Sequence, residues 1–83
     1  MVRPGRSLVV WTREKSLGAR FRVRTDVAVT VFCESPMGPV SVSPAKLEHD
    51  LTVTIEKPMR LVLRVQNASG TRKARITFEA QGG

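Results

Sequence analysis

Apolar and polar residues take turns along most of this chain. In ARFRVRTDVAVTVF, residues 19–32, Phe21 and Val23 alternate with Arg20, Arg22 and Arg24. After Thr25-Asp26 the alternation resumes, with Val27, Val29, Val31 and Cys33 on one face and Phe32 turned to the other. A period of two puts successive side chains on opposite faces of a strand. The same pattern predicts strands over residues 7–12, 19–24, 27–34, 40–43, 51–56, 61–66 and 74–79. Thr25-Asp26, the run Ser35-Pro36-Met37-Gly38-Pro39 and Lys57-Pro58 read as breaks, because proline fixes φ and lacks a ladder donor. Residues 44–50 read as a loop, or one helical turn at most. About seven short strands with frequent turn signals predict an all-β sandwich or small barrel. The predicted core is Phe21, Val23, Val29, Val31, Val42, Val53, Ile55, Leu61, Leu63, Val65, Ile76 and Phe78.

The last two predicted strands invite a hairpin. If Asn67 faces Arg72 across Ala68-Ser69-Gly70-Thr71, then Leu61, Leu63 and Val65 oppose Phe78, Ile76 and Ala74 on one face. That register sets Arg60 beside Glu79 and Arg64 beside Arg75, the second a like-charge pair that reads either as a hint of an anion nearby or as two solvated side chains bending apart.

Composition narrows the class. The 83 residues suffice for one small domain, and 41% hydrophobic content supports a small core. No apolar run nears the ~20 residues of a membrane-crossing helix. The apolar run at residues 8–11 is short of the ~7–15 residues of a secretory h-region, so a cytoplasmic or particle-associated location is expected. The one cysteine, Cys33, allows no intrachain disulfide, and its place among valines predicts a buried structural thiol. A small domain without staples often relies on partners or on copies of itself.

Charge is the strongest functional signal. The net charge is +7, and residues 1–24 hold Arg3, Arg6, Arg13, Lys15, Arg20, Arg22 and Arg24 against Glu14 alone. On one strand face Arg20, Arg22 and Arg24 form a line ~13–14 Å long, comparable with a run of phosphates. The alternative is a solvated face, or an edge protected by charge. The segment VRPGRS reads as a flexible basic arm able to anchor the domain to a partner or a neighbouring copy. Catalytic signals are weak. His49 stands between Glu48 and Asp50 without a second histidine or a cysteine pair, which predicts a polar surface loop and no metal or other cofactor. The scattered glycines form no phosphate loop, and no nucleophile elbow is present.

Three stretches resemble BACON-type immunoglobulin-like domains. VQNASGTRKARITFEA (65–80) is similar to that family's closing hairpin, through Asn67, Arg72 or Arg75, Ile76 and Thr77. VSVSP (40–44) resembles its short mid-domain strand, and FRVRTDVAVTV (21–31) its strand, break and strand. The resemblance spans about residues 19–80 and implies an immunoglobulin-like β-sandwich. Residues 1–7 are then the basic arm, 8–80 a single sandwich domain and 81–83 a tail. The family is associated with carbohydrate-active proteins and gut-phage particles, as a glycan-binding or spacer module. The expectation is a non-catalytic interaction or structural module that binds a protein partner or copies of itself, for example in a virion or surface assembly. The alternative is a nucleic-acid binder using the basic N-terminal segment, with Arg64 and Arg75 as further candidates. A carbohydrate-binding role comes third and requires Trp11 exposed in a groove.

Overall fold

The computed structural model describes residues 1–81, and Gly82 and Gly83 of the expected tail lie outside the described residues. The protein is all-β, but it is not a seven-stranded sandwich. It forms one antiparallel sheet of three strands, β1 (Ser7–Ser35), β2 (Gly38–Asn67) and β3 (Ile76–Gln81), in the order β2-β1-β3. The expected breaks at Thr25-Asp26, Pro44 and Lys57-Pro58 are bends inside continuous strands. The expected loop over residues 44–50 is likewise part of β2.

Bending is compulsory. Twenty-nine extended residues would reach roughly 95 Å at ~3.3 Å each, whereas the molecule is 40 Å in its longest dimension. The sheet therefore folds back on itself, and the two long strands pair in four places. Residues 7–16 pair with 59–66, residues 18–24 with 48–54, and residues 29–35 with both 38–46 and 62–67. Val31, for example, lies opposite Ser43 on one side and Val65 on the other.

Each bend has a local cause. Near its start, β1 shifts register between Val9 and Trp11, and the extra residue brings Trp11 onto the apolar side. There its ring meets Phe21 edge-on, with centroids 4.8 Å apart. At Ser16–Gly18 the Ser16 hydroxyl is fully buried, donating to Gly18 O (3.2 Å) and accepting from Gly18 N–H (3.1 Å). Gly18 has φ +131°, and a Cβ there would stand 1.9 Å from Val53 O. At the third bend Thr25 Oγ1 donates to Val27 O at 2.6 Å. Ser35-Pro36-Met37-Gly38 closes the β1–β2 turn, with Gly38 at φ +124°.

Inward positions keep odd numbers from Ala19 onward on β1 and from His49 onward on β2. Ala19, Phe21, Val23, Val27, Val29, Val31 and Cys33 on β1, and Leu51, Val53, Leu61, Leu63 and Val65 on β2, are buried. Ile55, Ile76 and Phe78 pack against this core without being fully covered. Val42 does not belong to it. Register opposite Phe32 turns Val42 outward, and it is 53% exposed.

The closing hairpin does not form either. β3 crosses to β1, setting Phe78 opposite Val23, Ile76 opposite Thr25 and Glu79 opposite Arg22. The residues of β2 expected to face it already pair with β1 on both sides: Leu63 lies opposite Trp11 and Cys33. Asn67 does reach Arg72, but through its side chain, whose Nδ2 donates to Arg72 O (2.7 Å) and Val2 O (3.0 Å). Arg64 is consequently beside Val9 and Phe32, not Arg75.

Candidate interaction surface

The three arginines of the opening stretch do share an exposed face, but they are not alone on it. Antiparallel register puts Thr52, Asp50 and Glu48 of β2 opposite Arg20, Arg22 and Arg24 on one side. Gln81, Glu79 and Thr77 of β3 lie opposite them on the other. Directly opposed side chains lie on the same face, so three acids flank three arginines. Arg20 makes a two-pronged bond to Asp50, at 3.3 and 3.1 Å, and Arg22 Nη2 lies 3.9 Å from the same carboxylate. The hydrogen bond from Arg20, with its charge and that of Arg22, holds the Asp50 carboxyl below its usual range. The line is therefore a cross-strand ladder of alternating charge.

Arg64 is also committed. Its guanidinium bonds both Glu34 oxygens (2.8 and 3.3 Å) and lies 4.6 Å over the Phe32 ring. Arg13 and Lys15 sit at the far end of the first β1 segment, where Arg13 faces Leu61. Eight residues of strand, 7–14, separate Lys15 from Arg6, a contour of roughly 30 Å.

Arg3 and Arg6 go elsewhere. Arg3-Pro4-Gly5-Arg6 is a tight turn, with Arg6 N–H bonded to Arg3 O at 3.1 Å and Gly5 at φ +70°. Proline followed by a positive-φ glycine is the type II arrangement, which brings the first and fourth Cα atoms within about 7 Å. This segment is docked, not a free arm. Val2 is buried and exchanges two backbone bonds with Ala74, both 2.9 Å. Gly5 N–H bonds Ser69 O (3.1 Å), and Asn67 N–H bonds Arg6 O (2.9 Å). The Asn67 side chain joins both runs, and its Oδ1 accepts Ser69 N–H at 2.8 Å.

Residues 1–6 thus run against residues 67–74, and together they form a cationic end. Arg3, Arg6, Arg72, Lys73 and Arg75 are all exposed there, and none enters an ion pair with a described residue. Segments 1–6 and 68–75 contain no Asp or Glu. Of fourteen Lys and Arg, these five leave nine against all seven acids elsewhere, so most of the +7 excess sits at this end. Asp26 borders it. Its carboxylate accepts Arg75 N–H at 2.7 Å, and that bond, with the charges of Arg72 and Arg75, lowers its pKa. A shallow hollow lined by Arg24, Thr25, Asp26, Arg75 and Thr77 joins the end to the arginine ladder. Sequence reasoning named Arg3, Arg6 and Arg75 but missed Arg72 and Lys73 as their neighbours. The RPGR turn was the available signal.

The other candidates point inward. Alternation sends Glu48 and Asp50 out and His49 in, so the triplet cannot converge on an ion. His49 is 2% exposed and fully bonded. Nε2 lies 2.8 Å from Val29 O and 3.1 Å from Lys46 O, and Nδ1 lies 2.7 Å from Ser43 Oγ. Carbonyls only accept, so Nε2 carries the proton and Nδ1 accepts from the Ser43 hydroxyl. Burial lowers the pKa of the ring. Cys33 is fully buried, and burial followed by the nearby Glu34 charge pushes its thiol up. Trp11 faces Phe21 rather than an open groove. No group of three or more potential metal ligands occurs among the described residues. No helix among them is long and apolar enough to cross a membrane.

No family model, curated protein or solved structure matches this chain.

Proposed function

We propose that this chain is a non-catalytic interaction module that docks an anionic macromolecular partner on its cationic end. The observation that carries this reading is the separation of charge. Arg20, Arg22 and Arg64 are engaged by Asp50 and Glu34, whereas Arg3, Arg6, Arg72, Lys73 and Arg75 converge without an ion pair among the described residues. Exposed like charges repel, and an anion in their midst relieves that cost.

Assembly by strand pairing between copies is less well supported. The 38–43 segment pairs on one side only among the described residues, but it carries Pro39 and lies between Pro36 and Pro44. The outer edge of residues 7–16 carries Arg13, Glu14 and Lys15. Prolines and charges of this kind blunt an edge.

Calorimetric titration with polyphosphate, heparin and polyglutamate tests the proposal. Binding to at least one is expected, weakening with added salt and weakened several-fold by Arg72→Gln with Lys73→Gln. Absence of binding to all three at low salt would contradict it.

A further inference from the structure

The chemistry of the cationic end identifies one class of anion more closely. Resting on the binding-module reading above, we infer that its partner is the phosphate backbone of double-stranded nucleic acid, bound without reading base sequence.

Four of the five cations are arginines. The guanidinium presents a planar fork of donors that fits phosphate oxygens two at a time. The cations are also crowded. The RPGR turn brings Arg3 and Arg6 together, and the Val2–Ala74 bridge sets that turn against Arg72 and Lys73. A crowded patch needs a dense line of anions to engage all its members at once. A duplex carries about one charge per 1.7 Å of axis, whereas an extended acidic peptide offers at most one per ~3.3 Å.

The scaffold is pre-organised. Backbone bonds from Val2, Gly5, Arg6 and Ala74 fix both runs, and the Ser69 hydroxyl accepts N–H bonds from Thr71 (3.1 Å) and Arg72 (2.9 Å). Little backbone order remains to be lost on binding. No aromatic residue occurs in segments 1–6 or 68–75, so there is no platform for stacking unpaired bases. Around the cations stand Pro4, Gly5, Ser69, Gly70 and Thr71, while Val2 and Ala74 point inward. Apart from Met1 and the single methyl of Ala68, this end has no exposed apolar side chain to insert into a lipid surface.

Fluorescence anisotropy with a labelled duplex of about 20 base pairs, between about 50 and 200 mM salt, tests the inference. Polyglutamate and anionic vesicles serve as parallel ligands. Duplex binding is expected with a log–log salt slope of about −3 to −4.5, near −0.9 for each phosphate contacted. The variant Arg3→Gln/Arg72→Gln/Arg75→Gln should lose at least about tenfold in affinity and about 2.7 in slope. Its Arg75 change leaves the backbone bond to Asp26 in place. Should that variant not fold, Arg72→Gln/Lys73→Gln, confined to the exposed loop, should lose about 1.8 in slope. The variant Arg20→Thr/Arg22→Thr should bind as the unmodified chain does. An equal loss in that variant would overturn the inference by moving the contact to the ladder. Binding of polyglutamate or vesicles without duplex would overturn it while leaving the binding-module reading intact. Failure of all three ligands to bind would remove both.

Discussion

At the residue scale, a few side chains hold positions that no other residue type could fill. Gly18 is the sharpest case, combining φ +131° with 1.9 Å between a hypothetical Cβ and Val53 O. Gly18→Ala should cost about 2–4 kcal/mol in urea unfolding, since backbone strain and a steric clash act together. A loss below about 0.5 kcal/mol would mean that β2 yields easily there. Asn67 is buried and ties Val2, Ser69 and Arg72 through three bonds. Asn67→Ala should cost about 2–4 kcal/mol, because buried backbone groups lose their partners. Asn67→Asp should be worse, turning an acceptor toward two carbonyls. His49 supplies a pH dependence. Its folded pKa lies below the ordinary 6.5, so in that window the unfolded chain binds a proton that the native chain does not. Its contribution is fully present above about pH 6.5 and falls as the pH drops toward the folded value. Urea midpoints measured from pH 8 to pH 5 should decline below about 6.5, and His49→Gln should flatten that part of the curve.

At the element scale, the two long strands show what alternation reveals and what it hides. The apolar positions of residues 19–33 and 49–67 were legible, and so was the buried thiol of Cys33. The continuity of the strands was not. Thr25-Asp26 and Lys57-Pro58 carry turn-like residues, yet inward residues keep odd numbers from Ala19 to Cys33 and from His49 to Asn67. Unbroken parity across an apparent break is the mark of a bend. Only pairing partners, which lie far away in sequence, decide whether such a break ends a strand. Val42 was misplaced because its residue type is apolar while its parity is outward. The site followed the same rule. Arg20, Arg22 and Arg24 were legible as one face, but their neutralisers, Asp50, Glu48 and Glu79, come from two other strands. The docking of residues 1–6 has its own test. Val2→Ala removes buried methyl groups at 3% exposure and should cost about 1–2 kcal/mol. Amide exchange should quicken at Val2 and Ala74 first, with the β1–β2 ladders unaffected. Uniform acceleration across the sheet would show that the terminal segment is part of one cooperative unit.

At the scale of the whole molecule, folding redistributes charge. Along the sequence the excess lies in the first quarter, on what reads as an arm and a basic strand. In space the strand is flanked by acids, and the arm is bound down beside the 68–75 loop. What results is a near-neutral body with one cationic end. Such asymmetry steers an anionic partner to a defined face and makes its capture sensitive to salt. The central claim is that this end, not the arginine ladder, is where the partner binds. Amide chemical-shift mapping during titration with short-chain polyphosphate tests it most directly. The predicted result is movement concentrated at residues 2–6, 24–26 and 69–75, with residues 20–22 and 48–52 nearly still. Movement centred on Arg20, Arg22 and Asp50 would contradict the account.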